Sequence, residues 1–267
     1  MEFRTIVKVE KGGFEIQPFE KILFVGSCFA DHIGRRFVTE KFRANVNPLG
    51  VMYNPASIKS CVDRIDDAPN VTFITLGTNH IYRLKETGEI VDNCRKKPQT
   101  LFSEEVLTVD ECVEYLEKTV EELFRRNPQV RVVITVSPIR YAKYGFHGSQ
   151  LSKATLLLAA DKLVSTYADY CEYFPAYEIV NDELRDYRFY NEDMLHPSEQ
   201  TVNYLWERLV EYFFSAEAKT FMEEWRPIKE ALGHKPFNPD SREYKDFMSK
   251  TMLKVSQLSE KYPNFAF

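Results

Sequence analysis

The 267-residue sequence has no long apolar run, no excess of basic side chains and no closely paired cysteines. No stretch reaches the roughly 18 consecutive apolar residues that a membrane-spanning helix needs. Charged residues interrupt the first 26 positions, which argues against a signal peptide. The 35 Lys and Arg against 40 Asp and Glu leave a phosphate-backbone partner without electrostatic support. We therefore expect neither a membrane nor a nucleic acid as partner.

The five cysteines are odd in number and widely spaced, at positions 28, 61, 94, 112 and 171. No C-x-x-C pair indicates a zinc site or a redox dithiol, so we expect no metal. Unpaired cysteines of this kind are typical of a reducing compartment. Together with the N-terminal pattern, they predict a cytoplasmic protein.

The hydrophobic content of 44% and the aromatic content of 14% suffice for a large buried core. Four short apolar runs rich in β-forming residues predict strands at 21–26, 71–77, 131–137 and 172–180. Between and after these runs, apolar residues at helical spacing predict helices that begin near Cys28, Thr108, Ser152 and His196. The third of these helices is predicted to reach Cys171.

Alternating strands and helices predict an α/β fold, a three-layer α/β/α sandwich with a central parallel sheet. Residues that directly follow the strands matter most, because ligands of such sheets bind beyond the carboxyl ends of the strands. We assign residues 1–213 to this domain. Only helical patterns follow, so residues 214–267 are predicted to form a helical extension, packed on the domain or used as an oligomer contact.

Ser27 and Cys28 follow the first predicted strand, in the stretch FVGSCFADHIG. Either side chain is a candidate nucleophile, because a helix N-terminus stabilises negative charge and favours a thiolate. Serine at such a turn is also a common helix cap, and position alone does not separate the two roles. Cys28 is expected to pack inward, as small core cysteines do.

Asp193 and His196 stand three residues apart in DMLHPS, so the carboxylate can hold one ring nitrogen while the other faces a nucleophile. A surface pair that precedes a helix is the alternative interpretation. Candidate donors for an oxyanion are the N–H of Ser27, the N–H of Gly50 in NVNPLG, and the side chain of Asn79 in TLGTNH. Taken singly, the last two motifs are ordinary turn signals.

In this order, the motifs resemble those of the SGNH (GDSL) hydrolase superfamily. More narrowly, GSCFA at 26–30 resembles the GSCFA family, and five further stretches agree with it: NPLGVMYNP, NCRKKPQ, TVSPIR, SKATLLLA and YFPAYEIVNDELRDYRFYNEDMLHPS. The resemblance covers about residues 2 to 213. It implies a flavodoxin-like α/β/α sandwich with a Ser-His-Asp hydrolytic site, and it supplies no substrate.

Position by position, the resemblance implies Ser27 as the nucleophile, with Asp193 and His196 as the other triad members. It implies oxyanion donors at Ser27, Gly50 and Asn79.

Three residues depart from the superfamily pattern. Cys28 replaces the usual small or polar residue, His80 stands where an aspartate is frequent, and Tyr141 follows TVSPIR where a histidine would be expected. These departures leave the predicted triad unchanged, but they mean that the superfamily pattern does not predict the composition of the substrate pocket.

The sequence therefore predicts a serine esterase that needs no cofactor and deacetylates an O-acylated carbohydrate or a similar small ester through an acyl-enzyme. An O-acyltransferase with the same triad, and a non-catalytic ligand-binding module, are the alternatives. Candidate substrate-binding residues are His80, Arg140 and His147, although for Arg140 a solvated ion pair that holds a loop is the favoured interpretation. A homo-oligomer is compatible with the pattern.

Overall fold

The computed structural model describes residues 1, 3–9, 12–92, 94, 97–262 and 264–265. Residues 93, 95 and 96 of the NCRKKPQ motif, and residues 263, 266 and 267 of the predicted extension, lie outside the described part. None of the helices in the described ranges combines the length and the apolar character that crossing a membrane requires.

The described residues form eight strands and eight α-helices. The strands are β1 (Lys21–Gly26), β2 (Arg43–Val46), β3 (Val71–Leu76), β4 (His80–Leu84), β5 (Ile90–Val91), β6 (Phe102–Val106), β7 (Arg131–Val136) and β8 (Cys171–Tyr173). The helices are α1 (Cys28–Thr39), α2 (Pro55–Arg64), α3 (Val109–Arg126), α4 (Gly145–Thr166), α5 (Ala176–Glu178), α6 (Glu199–Phe213), α7 (Ala216–Gly233) and α8 (Arg242–Lys261).

Five parallel strands form the central sheet, in the order β2-β1-β3-β7-β8. The middle strands β1, β3 and β7 are buried along nearly their whole length. Because successive side chains of a strand point to opposite sides, these strands contribute apolar side chains to both faces of the sheet. On one side Phe24 stacks on Phe73 at 4.5 Å between ring centroids. On the other side Leu23 and Ile74 belong to a second apolar cluster. The predicted three-layer sandwich is confirmed.

Helices cover both faces of this sheet. The cluster around Phe24 receives α1, α6 and α7, whereas the opposite cluster receives α2, α3 and α4. Helix α1 approaches the sheet closely at Gly34, where an added Cβ would lie 2.7 Å from the methyl groups of Val46. The C-terminal helices belong to the same body, since Phe221 and Trp225 of α7 are buried in the Phe24 cluster.

The structure differs from the sequence-based prediction in two boundaries and one additional sheet. The fourth predicted strand is only Cys171–Tyr173, because Pro175 has no N–H for a ladder, and the chain continues as α5 and a π-helical turn, Ile179–Leu184. The third predicted helix spans Gly145–Thr166, so Cys171 lies in β8 instead. Finally, a small antiparallel sheet, β5-β4-β6, was not predicted, because its exposed strands lack continuous apolar runs.

Candidate active site

The candidate site lies where the carboxyl ends of β1, β3 and β7 meet. Ser27 directly follows β1, Gly77 follows β3 and Ser137 follows β7. The N–H of Ser137 donates to Leu76 O at 2.8 Å, so these strand ends are tied to one another. The sheet topology thus brings together residues that are far apart in the sequence.

Ser27 is completely buried and caps α1. Its Oγ accepts the Phe29 N–H at 3.3 Å and lies 3.1 Å from Thr75 Oγ1. Its own N–H donates to Thr75 O at 3.0 Å. Both the hydroxyl and the N–H of Ser27 are therefore hydrogen-bonded within the protein. The predicted roles of Ser27 as nucleophile and oxyanion donor stay predictions.

Cys28 is the first residue of α1 and is partly exposed. Its Sγ lies 3.7 Å from the Tyr53 hydroxyl. Burial, and next the nearby Cys28, raise the pKa of Tyr53 to about 12, so this phenol stays protonated at neutral pH. The expected inward packing of Cys28 is met in part. The side chain packs against the apolar cluster around Phe24 but stays partly exposed, whereas Ser27 is completely buried.

Tyr141 lies across the same turn. A Cβ built on Gly77 would lie 2.5 Å from the Tyr141 hydroxyl and 3.2 Å from Ser27 Cβ, so glycine is what admits this phenol. The hydroxyl is buried and has no hydrogen-bond partner among the described residues. Burial, followed by the neighbouring Cys28 and Tyr53, holds the pKa of Tyr141 well above its usual value. The hydroxyl of Tyr141 is thus a buried donor at the Ser27–Cys28 turn.

Lys153 supports this end of the sheet from α4. Its Nζ donates to Gly77 O and to Ser137 O, each at 2.7 Å, and lies 5.0 Å from the centre of the Tyr141 ring. The side chain is completely buried, and burial lowers its pKa to about 7. Lys153 was not recognised in the sequence, although a lysine among the buried positions of the SKATLLLA helix is an available signal.

Asp193 and His196 form the other part of the site. His196 Nδ1 lies 2.6 Å from Asp193 Oδ2, while Asp193 Oδ1 accepts the N–H groups of His196 at 3.0 Å and Leu195 at 2.8 Å. These bonds, led by the backbone N–H of His196, lower the pKa of Asp193 to about 2. The carboxylate is therefore ionised at neutral pH and fixes one ring nitrogen of the histidine.

The loop that carries this pair is held by Arg140. The N–H of Arg140 donates to Leu195 O at 3.0 Å, and its guanidinium donates to Met194 O at 2.8 Å. Met194 has a φ of +56°, a left-handed conformation that non-glycine residues adopt only when the surroundings impose it. Arg140 thus acts on the loop, which matches the loop-holding alternative, although its partner is backbone and not a carboxylate.

His32 connects the two parts of the site. It follows Cys28 by four residues and therefore lies on the same side of α1. Burial, and next the proximity of His196, lower the pKa of His32. Its Nδ1 is buried with no partner among the described residues. His196 therefore lies close to His32, one helical turn after Cys28 on α1.

The other predicted oxyanion donors are already engaged. The N–H of Gly50 donates to Asn47 O at 2.8 Å and closes a turn in which Gly50 has a φ of +93°. Asn79 is buried, and its side-chain amide donates to Leu107 O at 2.7 Å. Their catalytic roles stay predictions.

The predicted substrate-binding histidines lie apart from each other. His80 is held between Glu104, at 3.1 Å from its Nδ1, and the ring of Tyr144, stacked at 3.6 Å. His147 is exposed in the first turn of α4. No group of three or more potential metal-ligating side chains occurs within the described ranges.

Several solved structures that are similar to this chain are described as esterases or lipases. A catalytic mutant of an acetylxylan esterase from Geobacillus stearothermophilus superposes with a TM-score of 0.51 at 14% identity, covering 76% of this chain and 98% of that one. A GDSL-like lipase from Bacteroides thetaiotaomicron gives 0.47 at 15% identity, covering 73% and 89% of the two chains. A family 3 carbohydrate esterase from Clostridium thermocellum gives 0.43 at 14%, covering 80% and 99%. The superposition on the Geobacillus structure shows a shared fold.

The chain belongs to the GSCFA family. The model of this family matches residues 21–70 and 65–209, and the model described as the C-terminal domain of GSCFA domain proteins matches residues 225–267. A search of curated protein sequences gives no significant match.

Proposed function

We propose that this protein hydrolyses carboxylic esters, with a nucleophile from the Ser27–Cys28 turn and the Asp193–His196 pair as general base. The bond of 2.6 Å between His196 Nδ1 and Asp193 Oδ2 carries the proposal. It fixes the imidazole so that Nε2 is the nitrogen available for proton transfer. Family membership and the SGNH-type fold support the same reaction class.

Catalysis starts when His196 Nε2 takes the proton of the nucleophile. The nucleophile attacks the acyl carbon, and the imidazolium then gives its proton to the departing alcohol. Asp193, ionised because several N–H groups donate to it, stabilises the imidazolium while it exists. A water molecule, deprotonated by the same imidazole, hydrolyses the acyl-enzyme. The cycle needs no cofactor.

We propose an O-acylated carbohydrate as the substrate class. A cavity of about 270 Å³ is lined by Arg140, which bonds to the loop at Met194 O, and by residues that include Gln150, Asn181, Tyr187 and Tyr190. Amide and guanidinium groups can bond to sugar hydroxyls, and aromatic rings can pack on a sugar face. The Geobacillus structure is described as an acetylxylan esterase, which agrees with this class. His80 and His147 remain candidates for binding the alcohol part.

The test is acetate release from acetylated xylo-oligosaccharides and from p-nitrophenyl acetate. His196→Gln should lower kcat/KM by about 10²–10⁴-fold, because it removes the general base. His234→Gln is the matched control, since His234 follows α7 and contacts Phe247 instead of the site. Equal rates for wild type and His196→Gln would exclude this mechanism. Acyl transfer to a second sugar, or sugar binding without turnover, would favour the two alternative functions.

A further inference from the structure

The two adjacent candidates for the nucleophile, Ser27 and Cys28, differ in burial and in hydrogen bonding. Ser27 is fully buried, and its hydroxyl is engaged by the Phe29 N–H and by Thr75 Oγ1. An attack by Ser27 would therefore break the cap of α1 and a link between β1 and β3. Cys28 packs against the apolar cluster around Phe24 but is partly exposed, and its Sγ lies 3.7 Å from the Tyr53 hydroxyl.

The backbone at the turn also favours Cys28. The first N–H groups of a helix have no intrahelical acceptor. Here the Phe29 N–H donates to Ser27 Oγ, and the Ala30 N–H donates to Ser27 O at 2.8 Å. The N–H of Ser27 itself donates to Thr75 O. Among the described residues, the N–H of Cys28 has no hydrogen-bond acceptor at this helix end and is available for an oxyanion.

The unpartnered hydroxyl of Tyr141 is the second and independent observation. A buried donor without an acceptor is unfavourable in the resting protein, and such a group is explained when a ligand or an intermediate supplies the acceptor. Gly77, with no Cβ, admits this hydroxyl between β3 and the turn. The Lys153 ammonium below the Tyr141 ring and the ring of Tyr53, 6.4 Å away, fix the position of the phenol.

We propose that Cys28 is the nucleophile of this site and that the Tyr141 hydroxyl donates a hydrogen bond to the oxyanion of the intermediate. This inference rests on the proposed ester hydrolysis. His196 Nε2 takes the Sγ proton, the S–C bond forms, and the carbonyl π electrons move to the oxygen that Tyr141 binds. Collapse breaks the C–O bond to the alcohol, which receives the proton from His196. Water then cleaves the thioester, and the thiol regains its proton.

Thiol reactivity tests the nucleophile without any ester. Cys94 is the internal control, because it is also partly exposed, while Cys61, Cys112 and Cys171 are buried. We expect iodoacetamide at pH 7 to modify Cys28 at least about tenfold faster than Cys94, as mapped by peptide mass spectrometry. Burial raises the pKa of the Cys94 thiol, which also slows that residue. Comparable or slower modification of Cys28 overturns the assignment, even if the true substrate is still unknown.

Turnover of p-nitrophenyl acetate tests the same assignment in the reaction. Cys28→Ala should lose at least about 10³-fold in kcat/KM, whereas Ser27→Ala, once shown to be folded by its melting curve, should stay within about tenfold of wild type. Cys28→Ser keeps the shape and separates a lost nucleophile from a lost fold. The reverse order, with an inactive but folded Ser27→Ala and an active Cys28→Ala, overturns the proposal. A wild type inert on all esters contradicts the proposed function instead, and the alkylation result then decides the role of Cys28.

Tyr141→Phe tests the oxyanion donor. The variant should lose about 10²–10³-fold in kcat with little change in KM, because the bond forms only in the intermediate. Tyr167→Phe is the matched control, since its hydroxyl bonds to Glu121 beyond the distal end of α4. An unchanged kcat, or a raised KM alone, overturns this role.

Discussion

The site has two halves that are built in opposite ways. The strand-end half (Ser27, Gly77, Ser137 and Lys153) is buried, and its polar groups are bonded to one another. The loop half (residues 191–196) is open, with the side chains of Asp193 and His196 exposed by 45% and 37%. The strand ends therefore supply fixed geometry, and the loop supplies groups that substrate and solvent can reach.

Cys28 lies at the border between these halves. Its backbone belongs to the first turn of α1, which Ser27 caps, whereas its thiol is partly exposed. Changes in the strand-end half should mainly reduce stability, and changes in the loop half should mainly reduce turnover.

The largest effect on stability is expected from Lys153→Met. The substitution leaves Gly77 O and Ser137 O without their buried donor. Each such carbonyl costs about 1–3 kcal/mol, so the free energy of unfolding should fall by about 2–6 kcal/mol. Lys162→Met on the same helix is the control, because this exposed lysine bonds to the exposed Asp110 and its loss should change stability by less than about 0.5 kcal/mol. Equal effects from chemical denaturation would contradict the structural role of Lys153.

The pH dependence of stability provides a second test of the same lysine. Burial lowers the pKa of Lys153 to about 7 from its ordinary 10.5, so in this range the unfolded chain holds a proton that the folded chain lacks. Stability must then rise with pH from about 7 upward, by at most about 1.4 kcal/mol per pH unit. The difference in unfolding free energy between wild type and Lys153→Met should follow this slope. Parallel stability curves from pH 6 to pH 9 would contradict it.

In the loop half, Arg140→Met should lower kcat without a large loss of stability. The guanidinium that bonds Met194 O is removed, and the left-handed Met194 is released from one of its restraints. A displacement of His196 by about 1 Å would cost on the order of 10²-fold in kcat. A rise in KM with unchanged kcat would instead show that Arg140 binds substrate. Arg188→Met, an exposed pair with Asp186, is the control.

Ser27→Ala has the smallest expected effect, and it sharpens the comparison. Loss of a helix cap costs about 1 kcal/mol, so the melting temperature should fall by a few degrees while most turnover survives. A Ser27→Ala variant that is stable but inactive would instead show that Ser27 takes part in the reaction.

Local pattern was sufficient to predict much of this fold. Strands β1, β3 and β7 are continuous apolar runs, and the cap of α3 was visible in Thr108 and Glu111, whose side chains bond to each other's backbone N–H. Distant contacts decided the rest. Thr75, 48 residues from Ser27, encloses the Ser27 hydroxyl. Lys153 is likewise buried because its ammonium group donates to Gly77 O and Ser137 O. The sequence of α4 alone does not show these two distant acceptors.

The most direct test of this account is to locate the acyl group during turnover. An acid quench of the enzyme mixed with p-nitrophenyl acetate, followed by peptide mass mapping, should find one acetyl group as a thioester on Cys28 and none on Ser27. The thioester should disappear with neutral hydroxylamine and be absent from Cys28→Ala. An acetyl ester on Ser27 in the wild type would contradict the central claim.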